Sequence, residues 1–411
     1  MKKQTQAIHL EYERRDAYDS LSVPVYNTLA YEFDNAAVMA EAFTDKIKAP
    51  DYSRVENPTV TNLERRVAAL TDAAHATAFN SGMAAISNTL MALAAQGKNI
   101  VTSKHLFGNT YALLVATLRR FGVKVRLRDL TNIEAVREAI DDDTCCVFLE
   151  ILTNPQLEVA DLKAISEVAH KKNVPLVVDS TVIPFTQFSA KRLGVDIEVV
   201  SSSKYVSGGA TSLGGLVIDY GTPYNGDFAK RLYGEMLFNF GAYMTPQVAY
   251  MQTIGLETLD ARYRVQSSNA LELAKKLRSL PQIKYVNYVG LEDNPYHELA
   301  QRQFGKTAGA MICIDLESKE ACFSFLNNLK LIHRATNLFD NRSLAIHPAS
   351  TIFGAFSESM RKSMDVKDTT IRLSIGLEDV DDLFEDIKQA VNSLYFPEKG
   401  CHLGTNRSDN E

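Results

Sequence analysis

Cysteine is scarce in this sequence. There are five in 411 residues, and no two stand as Cys-x-x-Cys. That spacing gives no zinc site and no disulfide framework, so no metal is expected. Cys145, Cys146 and Cys313 lie in strand-like apolar runs and read as core packing. An odd thiol count in a large chain fits the reducing cytoplasm. No apolar run is long enough to span a bilayer, and the lysines after Met1 have no apolar stretch behind them, so neither a membrane segment nor a signal peptide is expected. Clusters of Lys and Arg are also missing. With a net charge of −6, the chain offers no basic footprint for nucleic acid and no polybasic patch for a membrane surface.

An apolar fraction of 45% against 23% charged is that of a soluble globular protein, and the length exceeds one ordinary core. From about residue 60 to 220, short apolar runs (76–79, 100–102, 123–127, 145–149, 175–178, 197–200) alternate with helical patterns. Thr61-x-x-Glu64 reads as a capping box, Ser81 as a helix cap, and Asn132 and Asp161 as further helix starts. This rhythm predicts an α/β fold, a mostly parallel central sheet with helices on both faces. After about residue 245 the rhythm changes. A long helical region spans 247–280 with a break near Gly255, then strands at 283–289, 310–316 and 371–375 mix with helices at 321–329 and 380–394. The expected division is an N-terminal arm at 1–50, a large domain at 51–245 and a smaller α+β domain at 246–411. Residues 397–411 are polar and expected to fray.

The chemistry gathers at strand ends, where open α/β sheets bind ligands. The strand 175–178 ends in Asp179, and Ile197 to Val200 runs into Ser201-Ser202-Ser203-Lys204 and the glycines 208 and 209. An amine able to form a Schiff base, with a carboxylate able to hold a protonated pyridine nitrogen, is the minimum pair for pyridoxal phosphate. Asp179 reads equally as a helix cap, and Lys204 as a lysine whose stem packs while its head reaches water. Ser81-Gly82-Met83 opens a helix whose free N–H groups suit a phosphate, or is a plain cap and turn. Glu150 reaches the same edge. Arg372 alternates with apolar residues on a strand, placed either to grip a substrate carboxylate or as a cross-strand surface charge. Tyr52 and Arg54 form an aromatic–guanidinium pair in a loop, or a solvated turn.

Together these positions resemble the transsulfuration family of pyridoxal-phosphate enzymes of fold type I, which act in cysteine and methionine metabolism. The motifs that carry the resemblance are Tyr52-Ser-Arg54-x-x-Asn57-Pro58-Thr59, Ser81-Gly82-Met83, Gly108-Asn-Thr110-Tyr111, Asn154-Pro155, Val177-Val178-Asp179-x-Thr181, Ser201-x-Ser203-Lys204, Ile346-His347-Pro348-Ala349-Ser350 and Arg372-Leu-Ser-Ile-Gly376. The resemblance implies that Lys204 binds the cofactor aldehyde and shuttles protons, and that Asp179 pairs with the ring nitrogen next to Thr181. It implies a phosphate held by Gly82, Met83, Ser201 and Ser203, and reached by Tyr52 and Arg54 of a neighbouring subunit. Asn154, Ser343 and Arg372 would hold the substrate carboxylate. The active unit would then be at least a dimer, and a dimer of dimers is common in the family.

Residues 210–215, 294–300 and 342–351 look most like the O-acetylhomoserine sulfhydrylase branch. Phe107 stands where the family commonly has a tyrosine over the cofactor ring, Gly209 where a histidine is common, Ser180 where asparagine is frequent, and Asn109 where methionine γ-lyases carry a cysteine. A phenyl ring stacks but donates no proton. Acetate needs less help in leaving than a thiolate does, so the expected reaction is γ-replacement on an O-acylhomoserine by sulfide or methanethiol. The alternative is a γ-lyase of the same family, releasing ammonia and 2-oxobutanoate. A non-catalytic, cofactor-binding member is a third reading.

Overall fold

The structure is a computed structural model, described for residues 1–10, 16–44, 46–306 and 308–394. The tail expected to fray at 397–411 lies outside the described residues.

Seven strands form the central sheet: β1 (His75–Phe79), β2 (Asn99–Thr102), β3 (Lys124–Leu127), β4 (Thr144–Glu150), β5 (Leu176–Asp179), β6 (Ile197–Val200) and β7 (Gly215–Asp219). Their order is β1-β7-β6-β5-β4-β2-β3. The pairs from β6 through β5, β4 and β2 to β3 are parallel. Strand β7 runs antiparallel between β1 and β6. The sheet is therefore mostly parallel, as the rhythm predicts, with one reversed strand that the rhythm does not reveal.

Strand side chains alternate between two cores, because successive residues of a strand face opposite sides. Ile100, Cys146, Phe148, Val177, Val199 and Val217 pack under the helix Gly82–Leu93. Val101, Val147, Leu149, Val178, Leu216 and Ile218 face the other way, into the larger core. That core also takes Leu63, Val67 and Leu70 of helix Pro58–Thr71 and runs on into the C-terminal part. Near-continuous apolar strands are what burial on both faces demands.

Several element ends differ from expectation. Helix Pro58–Thr71 is capped by Asn57, whose side chain accepts from the Thr59 N–H at 3.0 Å. Glu64 does not close a capping box. It turns inward and accepts the Ala78 N–H at 2.8 Å. The long helical region breaks at Thr258, between Pro246–Glu257 and Leu259–Leu277. Gly255 stays helical because it must lie flat against the loop behind Lys204: a Cβ there would sit 2.0 Å from the Val206 carbonyl oxygen.

A second sheet of five strands has the order β10-β11-β12-β9-β8: β8 (Tyr285–Asn287), β9 (Met311–Asp315), β10 (His333–Arg334), β11 (Leu344–Ile346) and β12 (Thr370–Ser374). The pair β10–β11 is parallel and the other pairs are antiparallel. Helices Lys319–Asn328 and Val380–Asn392 complete an α+β unit. Near the N-terminus, helix Lys3–His9 packs on its own chain. Its Lys3 ammonium donates to the Phe185 and Phe188 carbonyls at 3.2 and 2.9 Å.

Candidate active site

The carboxyl edges of β4, β5 and β6 lie side by side, with Glu150 opposite Asp179 and Asp179 opposite Val199 in register. Beyond them the chain is tied from strand to strand. The Ser180 N–H donates to the Val199 carbonyl at 3.1 Å, and the Ser201 N–H to the Thr181 hydroxyl at 2.8 Å. Asp179 accepts the Thr181 N–H at 2.9 Å. Burial raises the Asp179 carboxyl above its ordinary value against that bond, and among the described residues no lysine, arginine or histidine pairs with it. A desolvated carboxylate without a cation is costly. A protonated ring nitrogen supplies the missing charge, so the site fits pyridoxal phosphate at this point.

Glu150 is the second buried acid. Burial, then the Asp179 charge beside it, pushes it up to about 8, while its oxygens accept the Phe107 N–H at 2.5 Å and the Asn154 N–H at 3.3 Å. One side chain thus fixes the backbone of two expected site residues.

Gly82 opens its helix against the turn after β6. A Cβ on it would meet Ser201 Cβ at 2.6 Å and Oγ at 2.7 Å. Ser81 caps the helix by accepting the Ala84 N–H at 3.1 Å. The remaining N–H groups of a 12-residue helix and the Ser201 hydroxyl therefore share one small cradle suited to a phosphate. Met83 follows in the same turn, and its sulfur accepts the Thr110 hydroxyl at 3.9 Å. Ser203 is committed within the chain, donating to the Gly214 carbonyl at 3.1 Å and accepting the Gly214 N–H at 2.9 Å.

Lys204 lies just past Ser203, half-buried, with its Nζ donating to Asn337 Oδ1 at 2.7 Å. Burial, then the charge of Arg372, lowers its ammonium to about 8. Arg372 itself is 2% exposed. It donates from Nη1 to Asn154 Oδ1 at 3.2 Å and from Nη2 to the Thr336 and Asn337 carbonyls, both at 3.3 Å. Its Nε is buried and has no partner among the described residues. A guanidinium bonded only to neutral groups among the described residues, with its proton affinity lowered to about 10 by burial, is short of one anion.

The structure therefore brings together Gly82, Phe107, Asn154, Asp179, Thr181, Ser201, Lys204 and Arg372. It places others apart. Arg54 donates to the Phe238 carbonyl and lies over the Tyr52 and Phe238 rings, at 5.4 and 5.7 Å from their centroids, rather than against the residues just named. Ser343 gives its N–H and hydroxyl to Glu378, at 2.6 and 2.9 Å. The residue that meets both Lys204 and Arg372 is Asn337, which no sequence pattern marks because it sits in an aperiodic loop. Its neighbour Phe339 is the more informative signal. It holds φ +57° in a buried position and stacks on Tyr205 at 4.1 Å. Such left-handed backbone in a bulky residue points to a constrained segment.

Residues 4–392 match the family model for the Cys/Met metabolism PLP-dependent enzyme. The chain is 37% identical over 394 residues to an L-methionine gamma-lyase of Fusobacterium nucleatum subsp. polymorphum, covering 95% of this chain and 98% of that protein. It is 31% identical over 417 residues to an O-acetyl-L-homoserine sulfhydrylase of Corynebacterium glutamicum, covering 94% and 95%. A crystal structure of a provisionally named O-acetylhomoserine (thiol)-lyase from Campylobacter jejuni superposes with a TM-score of 0.91 at 35% identity, covering 96% of this chain and 100% of that one. It contains N′-pyridoxyl-lysine-5′-monophosphate.

Proposed function

The chain belongs to the Cys/Met metabolism PLP-dependent enzyme family, and from that membership we propose that it is a transferase replacing the γ-substituent of O-acetylhomoserine or another O-acylhomoserine. The Cγ–O bond breaks with release of the carboxylate, and sulfide or methanethiol forms a Cγ–S bond to give homocysteine or methionine. The bound cofactor supplies an aldehyde that condenses with amines and a cationic ring that accepts electron density.

The chain's own residues do the rest. Arg372, steadied by Asn154 and the two carbonyls, grips the substrate carboxylate through its unpartnered edge. Lys204, lowered to about 8, is in part a neutral amine near pH 7, able to act as nucleophile and to move the α- and β-protons. Asp179 balances the ring-nitrogen charge. Gly82, Met83, Ser201 and, once its hydroxyl turns from Gly214, Ser203 hold the phosphate. Phe107, set by its N–H bond to Glu150, would offer its phenyl face to the bound ring. Tyr52 and Arg54 serve the site of a neighbouring subunit, in a dimer of dimers that works in the cytoplasm.

The observation that carries replacement over elimination is Phe107: the side chain next to the Glu150-anchored backbone has no proton to give a departing thiolate, and acetate needs none. Elimination is the second reading, favoured by the 37% identity to a methionine gamma-lyase. Product analysis decides between them. With O-acetylhomoserine and sulfide, homocysteine should form without ammonia. Ammonia and 2-oxobutanoate from methionine, without added thiol, would overturn the replacement reading and leave the lyase.

A further inference from the structure

The two halves of the site stand on different sheets. Phe107 follows β2 of the central sheet, and Arg372 lies on β12 of the second. A substrate held by Arg372 and reacting beneath Phe107 feels any change in their spacing. His105 lies where the two parts meet. It is 5% exposed, with Nδ1 at 2.5 Å from Glu158 Oε2 and Nε2 at 2.8 Å from Asp365 Oδ2. Carboxylates only accept, so an imidazole between two of them donates from both nitrogens and is a cation. Asp365 belongs to the segment 348–366, which continues from β11, and β11 pairs Ile346 with Arg372 of β12. The same segment packs on the start of the Phe107 helix. A Cβ on Gly108 would meet the Ile352 carbonyl oxygen at 2.7 Å, and Phe356 packs edge-on against Tyr111 at 5.9 Å.

We propose that His105 is a positioning residue of the reaction, a cationic latch that fixes the Phe107 loop to segment 348–366 and so sets the distance between Phe107 and the Arg372 grip. The inference rests on the functional reading above for the roles of those two residues. The groups facing the imidazole are Glu158 from the turn after Asn154, Asp365 from the segment and Lys104 from its own loop, with Tyr296 and Asp129 beyond Glu158. Burial alone would depress the imidazole, but the bond and charge of Glu158, then the bond to Asp365, raise it above its ordinary value. A raised folded value means the latch is fully engaged below the unfolded imidazole pKa and released as pH rises through the folded one.

The test compares wild type with His105→Ala, Asp365→Ala and Asp365→Asn, the last keeping shape without charge. Charge-assisted bonds of this kind predict a KM for the amino-acid substrate raised about tenfold in His105→Ala, with a smaller change in kcat. Asp365 also accepts the Lys104 ammonium of the same loop at 2.7 Å, an exposed pair of small worth, so the double variant His105→Ala/Asp365→Ala should be only slightly worse than His105→Ala alone. In wild type KM should climb as pH rises through the His105 value, and in Asp365→Asn that climb should begin at lower pH. Amide hydrogen exchange of segments 103–111 and 348–366, read on the purified protein without turnover, should quicken together in His105→Ala. That readout separates failure of the latch from failure of the proposed reaction. Lower thermal stability with KM, its pH profile and the paired exchange all unmoved would reduce His105 to a structural contact and overturn the proposal.

Discussion

Replacing Arg372 probes the site most sharply, because its guanidinium has two jobs with separable readouts. Among the described residues it donates three bonds and leaves Nε unpartnered, so it is both scaffold and grip. It also lies close enough to Lys204 for its charge to lower that amine, after burial, to about 8. Arg372→Lys keeps the charge and loses the planar fork. One or two charge-assisted bonds, each about 1.5–3 kcal/mol, should then vanish, raising KM by roughly ten- to a hundredfold or more. The pH at which Lys204 titrates should barely move. Arg372→Leu removes the charge as well. KM should rise at least as far, and the acid-side limb, along which activity climbs as Lys204 loses its proton, should shift to higher pH, toward the ordinary lysine value. That shift stays incomplete, since burial is the larger cause. The assay is steady-state KM and kcat against pH, with cofactor content checked by absorbance. A KM within about twofold of wild type in both variants, against an expected factor of ten or more, would refute the carboxylate role. An unchanged pH limb in Arg372→Leu would refute the coupling to Lys204.

Gly82→Ala should weaken cofactor retention, since the new Cβ meets Ser201 Cβ at 2.6 Å and the backbone must yield at the phosphate cradle. Overpacking of this size costs about 1–3 kcal/mol, and equilibrium dialysis against free cofactor reads it. An unchanged affinity would place the phosphate elsewhere. Glu64 is held up to about 8 by burial, so its folded pKa lies above its unfolded one. Its contribution to stability is whole below the unfolded value and fades as pH rises through about 8. Glu64→Gln keeps the acceptor for the Ala78 N–H and removes the titration. Thermal unfolding should show the variant gaining on wild type as pH rises across that window, and parallel curves would sink the argument.

Period and strand-end chemistry made much of this molecule legible. Apolar runs bounded by caps such as Ser81, Asn132 and Asp161 are real element starts, because each side chain meets an N–H that the helix cannot bond itself. Lys204 and Asp179 stood out because a charged residue closing an apolar strand needs a reason. What escaped is tertiary in origin. Strand β7, Gly-Leu-Val-Ile-Asp, is buried throughout and follows a glycine-rich turn, so nothing local says that it slots antiparallel between β1 and β6. Glu64 looked like half of a capping box, yet it is drawn inward to the Ala78 N–H once the sheet is built. Gly255 looked like a helix break, but the glycine answers the close approach of Val206 from another segment. Asn337 joins Lys204 to Arg372 across residues far apart in sequence, and the Ser343 hydroxyl is bound to Glu378 instead.

The most direct measurement is borohydride reduction of the purified protein followed by peptide mass spectrometry. A phosphopyridoxyl adduct on Lys204, lost in Lys204→Ala along with the visible absorption band, is the result expected. An adduct on a different lysine, or a Lys204→Ala protein that keeps its band and full turnover, would contradict the account at its root.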